Sequence, residues 1–154
     1  MVRESGANHI IIDCDGLGQP IADFIRKIKP EGVALEEIHA QGKPDDEQYY
    51  NLAAEMWFYA KAEAEAGRER IPDDEYLKQE LQERKYFVNV RGKIQLETKD
   101  DVKDRIGRSP NRADSWIMNV WGRKSVKVIH SKDAWSDRGS HREVSAGAPS
   151  AMSA

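Results

Sequence analysis

The sequence contains a single cysteine, Cys14. An internal disulfide is therefore excluded, and so is any Cys-x-x-Cys zinc site. The four histidines, His9, His39, His130 and His141, are scattered and form no ligand pair. No apolar run approaches the roughly 18 residues that a membrane-spanning helix requires. Met1 to Asn8 is polar and shows no secretory signal, so the expected location is the cytoplasm. No Walker-type phosphate loop, G-x-x-x-x-G-K-S/T, occurs. An excess of basic residues is also lacking: the formal net charge is −3. Met1 to Trp121 holds 18 basic and 24 acidic residues, whereas Gly122 to Ala154 holds 6 and 3. An acidic body does not advertise nucleic-acid binding, but binding depends on a local basic face rather than on a sum.

What is present is a chain of 154 residues, enough for one domain with a real core. Hydrophobic residues make up 39% and charged residues 33%. The first figure is low for a globular domain and the second is high, as a disordered segment would make them. The expected division is a folded part, 1–121, followed by a basic, mostly disordered tail, 122–154.

The opening segment, Asn8 to Cys14, is rich in isoleucine and reads as a buried strand. A helix follows from about Gln19-Pro20, with Ile21, Phe24, Ile25 and Ile28 on one face. Val33 to Ile38 is a second strand, which completes a β-α-β unit. A long helix is expected over 46–66 and another after Ile71-Pro72, capped by Asp73 or Asp74. A hairpin then joins Tyr86–Val90 to Ile94–Leu96 through Arg91-Gly92-Lys93. Thr98 opens a short helix that ends at Gly107. Ser109-Pro110 opens the last, running to about Trp121. Past Gly122 the pattern dissolves. Val126–Ile129 could form a strand, and Ser131 to Ala154 has the composition of a disordered tail.

The chemistry-bearing feature is the acidic end of the first strand, Asp13-Cys14-Asp15-Gly16-Leu17-Gly18. A calcium loop fails on spacing, since Leu17 and Phe24 stand where ligands are required. A dinucleotide turn lacks its third glycine and would place two carboxylates beside the pyrophosphate. Strand-Asp-x-Asp-Gly resembles the first motif of haloacid-dehalogenase-type phosphatases, in which the first Asp is the nucleophile. Leu17-Gly18 departs from that motif, and no later Gly-Asp cluster accompanies it. A plain helix-cap turn is the structural alternative, and a metal-dependent nuclease is the fourth chemistry open at this point.

Four later blocks bear on the choice. They are Asp13, Gly16, Gly18 and Asp23 after the strand; Asn51-Leu52-Ala53-Ala54-Glu55-Met56-Trp57; Ile71 to Leu81; and Leu96 to Ser115, which contains Gly107-Arg108-Ser109-Pro110-Asn111-Arg112-Ala113-Asp114. Together, over about Asn8 to Trp121, they resemble the nuclease domain of the large terminase subunit of tailed double-stranded DNA phages. Ala53 stands where that family usually has Arg, and Asn111 where it usually has Asp.

The resemblance implies an α/β fold like that of ribonuclease H, a mixed sheet flanked by helices. It also implies a role in phage DNA packaging as an endonuclease that cuts concatemeric DNA with two divalent metals, Mg²⁺ or Mn²⁺. By motif, Asp13 and Asp114 would be the catalytic, metal-binding carboxylates, Asp15 a less suitable substitute and Asp23 structural. Asp100, Asp101 and Asp104 read as first-turn acids of a helix. Arg91, Lys93, Lys99, Arg108 and Arg112, with Lys103 and Arg105, are candidate contacts to double-stranded DNA phosphates, or else an ordinary solvated face.

The family's first metal carboxylate lies on an earlier strand, and the chain begins too late to include it. Loss of the first strands would leave an exposed sheet edge and exposed apolar helix faces. An oligomer formed through that edge, or contact with a portal protein or small terminase subunit, would follow. A non-catalytic remnant or interaction module of the packaging machinery is the alternative function.

Overall fold

The computed structural model describes residues 7–136, with side chains as far as 124. Two compact units divide the chain, Met1–Arg123 and Lys124–Ala154. Strand β1, His9–Asp13, leads into helix α1, Gly18–Ile28, and strand β2, Ala34–Ile38. The two strands pair in parallel, His9 beside Ala34 and Asp13 beside Ile38. Helix α2, Leu52–Glu65, and helix α3, Glu75–Glu83, precede an antiparallel hairpin of β3, Tyr86–Val88, and β4, Ile94–Leu96. Helices α4, Lys99–Ile106, and α5, Asn111–Ser136, complete the described chain. The strands form two separate pairs, and the segment before α2 runs alongside β4, where Ile94 exchanges backbone hydrogen bonds with Gln48 and Tyr50. No helix among the described residues is long and apolar enough to cross a membrane.

The core lies where β2, α2 and α5 meet. Ile38, Met56, Ala60, Ile117, Val120 and Trp121 are buried together, and Ile11 from β1 packs against them. Side chains alternate across a strand, so Ile11 faces this core while Ile12 faces the start of α1.

Two glycines set the approach of these elements. A Cβ on Gly18 would lie 1.7 Å from the carbonyl oxygen of Asp13, and one on Gly122 would lie 2.1 Å from Cδ1 of Ile11. The first allows α1 to start against the end of β1, and the second allows α5 to lie close on β1. Gly122 is thus a packing residue inside a helix rather than a stop. The backbone stays helical over 126–129, where a strand was expected, and through 131–136, where disorder was expected. The expected disorder of 137–154 lies outside the described residues.

Other boundaries differ for local reasons. α2 starts at Leu52 rather than near Asp46, because Gln48 and Tyr50 are hydrogen-bonded to Ile94 of β4 and the Asn51 side chain caps the helix through the amide of Ala54. Asp74 caps α3 through Leu77 N–H, and Thr98 with Asp101 forms a capping box at α4. α5 is not held by a cap bond from Ser109. Glu80 of α3, 1% exposed, accepts instead from the amides of Arg112 and Ala113, at 2.9 and 3.0 Å.

The stripe expected to bury α1 lies mostly outside. Ile21, Phe24 and Ile28 are 53%, 61% and 61% exposed, beside Leu17 at 85%, and the contact face is built on Ala22. This is an exposed apolar helix face, and among the described residues β1 pairs with β2 alone.

Candidate active site

Asp13 ends β1, and Asp114 stands in the first turn of α5. One cavity of about 450 Å³ is lined by both, and by Asp15, Glu97, Lys99 and Arg84 among its charged residues. Trp57, Met56 and Ile117 supply apolar wall. The β1–α1 turn shapes the Asp13 end. Asp13 Oδ1 accepts from the amide of Asp15 at 3.1 Å. Asp15 itself reaches across to the segment after β2, where its Oδ2 accepts from Gln41 N–H at 2.7 Å and its Oδ1 lies 3.5 Å from His39 Nδ1. Asp15 therefore has a bracing position that Asp13 lacks. Asp23 has turned outward and pairs with Arg26 on the same helix.

Cys14, between the two aspartates, is buried, and its thiol lies 3.8 Å from the carbonyl of Ile12. Burial and the charge of Asp13 push its ionisation upward, so the neutral thiol prevails. This makes it core filling rather than a nucleophile.

Asp114 is mostly inside. The Lys99 ammonium lies 2.7 Å from Oδ2, an ion pair outside hydrogen-bonding geometry, and that buried oxygen has no hydrogen-bond donor. Glu97 is offset separately. Burial opposes its charge, but hydrogen bonds from Arg105 and from the amide of Lys85 outweigh burial and hold its carboxyl below the usual range.

The donor chemistry fits a hard divalent cation: two carboxylates line one cavity, and a buried oxygen of one has an ion-pair partner in Lys99 but no hydrogen-bond donor. Among the described residues no group of three metal-ligating side chains converges. Magnesium does not require one, since it commonly keeps waters and binds through one or two carboxylates plus substrate phosphates.

The candidate phosphate contacts separate into three groups. Lys99 lines the cavity. Arg91 and Lys93 flank the hairpin turn at Gly92, and their side chains make no ion pair among the described residues. Arg108 and Arg112 bridge α5 to α3. Arg108 donates to Glu80 at 3.1 Å and to Gln79 at 2.8 Å, Arg112 donates to Asp74, and both guanidinium groups lie over the Tyr76 ring. Their geometry is that of a clamp that holds the helix carrying Asp114. Arg105 likewise ties Glu83 to Glu97.

Sequence reasoning missed Glu80 and Arg84. Glu80 had a weak signal, lying one turn beyond Leu77 on the buried side of α3. Arg84, at the helix end, had none.

No protein-family model matches the sequence, and no curated protein does. Among solved structures, the nuclease domain of the large terminase subunit gp2 of bacterial virus Sf6 is similar at 23% identity and a TM-score of 0.60, over 77% of this chain and 67% of that one. A point mutant of that domain with manganese and beta-thujaplicinol gives 22% and 0.61 over the same shares. A mutant form with calcium gives 22% and 0.60, again over 77% and 67%. The chain therefore has the α/β, ribonuclease H-like fold of a phage large-terminase nuclease domain.

Proposed function

We propose that this chain is a nuclease part of a phage DNA-packaging terminase large subunit, and that it cuts double-stranded DNA with the help of Mg²⁺ or Mn²⁺. The observation that supports this reading is that Asp13, from a strand end, and Asp114, from a helix start, both line one cavity. They are the two carboxylates that the motif comparison singled out. Bound there, a divalent ion would supply Lewis acidity and a deprotonated water for phosphodiester hydrolysis. The chain's own contributions are distinct. Asp13 and Asp114 would hold the cation, the Asp15 brace fixes the turn that aims Asp13, and the Glu80 clamp fixes the helix that carries Asp114. Lys99 balances Asp114 until a cation does.

The direct test is incubation of supercoiled plasmid with the purified chain. Nicked and linear DNA should accumulate with Mn²⁺ or Mg²⁺ and should not form in EDTA. Intact plasmid over a full range of metal concentration would favour the second reading, a non-catalytic interaction module. The absence of a third converging ligand among the described residues is the observation that favours that alternative.

Protein contacts of the packaging machinery are assigned to the open side of β1 and α1. Ile21, Phe24 and Ile28 form an exposed apolar stripe on α1, and among the described residues β1 pairs on one edge alone; such features invite a second copy or a neighbouring protein such as the portal or small subunit. Light scattering on the chain alone should show concentration-dependent association, and Phe24→Glu with Ile28→Glu should return it to monomer mass. Monomer mass for the parent at high concentration would remove the second copy as occupant.

A further inference from the structure

Arg84 is the cation of the cavity whose pairing is incomplete. It ends α3, and its guanidinium lies over the Trp57 ring of α2, 5.6 Å from the centroid. Its Nε and Nη1 are buried and have no hydrogen-bond acceptor. Other ionic groups nearby are met. Glu80 receives Arg108 and two amides, Glu97 receives Arg105 and an amide, and Asp114 has Lys99 beside it. Burial disfavours the charge of Arg84, and the negative charges of Asp114 and Glu97 only partly compensate. Unpaired donors of a guanidinium are costly to keep away from water. An anion entering the cavity would therefore offer bonds that this side chain lacks.

The rest of the wall explains why such a cation is needed. Asp13, Asp15, Glu97 and Asp114 all line the cavity, and Lys99 lies against Asp114. A phosphate brought to the two aspartates meets like charge, and Arg84 is the cavity cation left to oppose it.

We propose that Arg84 is a phosphate-binding residue, whose N–H groups turn from the Trp57 face to take the oxygens of a backbone phosphate and hold the strand against Asp13 and Asp114. This rests on the nuclease reading of the cavity. A guanidinium suits the task because its planar fork matches two phosphate oxygens, which an ammonium does not do.

The test is binding rather than cleavage. Fluorescence anisotropy with a short labelled duplex in EDTA, across about 50 to 200 mM salt, gives affinity and its salt dependence. Removing one phosphate contact lowers the steepness of log K against log salt by about 0.9. Arg84→Met should show that change and bind about tenfold more weakly at the low-salt end. Arg84→Lys should keep most of the steepness while losing affinity, because the charge remains and the fork does not. Arg70→Met, at an exposed position outside the cavity lining, should match the parent.

Thermal melts accompany each variant. A lowered melting point with unchanged salt steepness in Arg84→Met would make the residue merely structural and overturn the proposal. If the methionine variant does not fold, the lysine variant decides: parental affinity overturns the proposal, and weaker binding at parental steepness supports it. A parent chain that binds and cuts DNA but is indifferent to Arg84 refutes this inference alone. A parent chain that binds no duplex at all refutes it together with the nuclease reading.

Discussion

Glu80→Ala should destabilise the domain by about 3–5 kcal/mol, the range for removing one partner of a buried, hydrogen-bonded ion pair. In a domain of this size that is a fall of roughly 10–20 °C in melting temperature. Total stabilities run from about 5 to 15 kcal/mol, so the variant would be partly unfolded at 37 °C if the parent lies near the low end. The effect is large because one carboxylate does three jobs. Its Oε1 accepts from Arg108 at 3.1 Å, and its Oε2 accepts from the amides of Arg112 and Ala113. Alanine would orphan two helix N-terminal amides and take from Arg108 its carboxylate partner, at a position where the lost side chain is 1% exposed. Glu80→Gln keeps one acceptor oxygen but turns an amide donor toward donors, and should lose less, about 1–2 kcal/mol. Urea or thermal melts followed by far-UV circular dichroism measure both. A Glu80→Ala variant melting within about 2 °C of the parent would show that α5 does not depend on this clamp.

The clamp also bears on what could be read from the residues themselves. The block Gly107-Arg108-Ser109-Pro110-Asn111-Arg112-Ala113-Asp114 is the most specific point of resemblance, yet most of it is architectural. Gly107 takes the left-handed conformation that ends α4, Arg108 and Arg112 reach back to α3, and Ala113 is fully buried. Local signals sufficed where the interaction is local: Asp74 and Thr98 as caps, Gly107 as a stop, and the isoleucine strand. They failed where the partner is distant in sequence. Nothing near Gly122 reveals that Ile11 lies against it, so the pattern reads as dissolving where the helix in fact continues. Nothing near Asp46 reveals that 48–50 pairs with Ile94, so the helix was started too early. Glu55 and Glu63 are buried on α2, where a reading by hydropathy puts charge outside; Glu55 accepts from the amides of Asp45 and Asp46, and Glu63 pairs with Arg68. The α1 stripe failed in the opposite sense: its periodicity is correct, but Ile21, Phe24 and Ile28 stay exposed among the described residues.

Neutralising either aspartate should abolish metal-dependent cleavage while leaving the fold intact. Asp13→Asn and Asp114→Asn each retain size and shape and remove only a charge that a divalent cation requires. A cation that stabilises the transition state by several kcal/mol corresponds to at least about a hundredfold in rate, since each 1.36 kcal/mol is tenfold. Stability should move in the opposite way from activity. Without metal, Asp13 and Asp114 place two carboxylates on one cavity wall, and only Asp114 has a cation against it. Asp13→Asn should therefore melt at or slightly above the parent temperature, and Asp114→Asn close to it, because the loss of the Lys99 pair offsets the relief of repulsion. Added Mn²⁺ should raise the parent's melting temperature, by the equivalent of about 2.7 kcal/mol at a hundred times the dissociation constant, and should leave both variants unmoved. The two readouts separate causes that activity alone would merge. A variant that loses cleavage but keeps the metal shift would place its carboxylate on the substrate rather than on the cation. A parent with no shift would remove the metal site from this chain, and the buried oxygen of Asp114 would then be balanced by Lys99 alone.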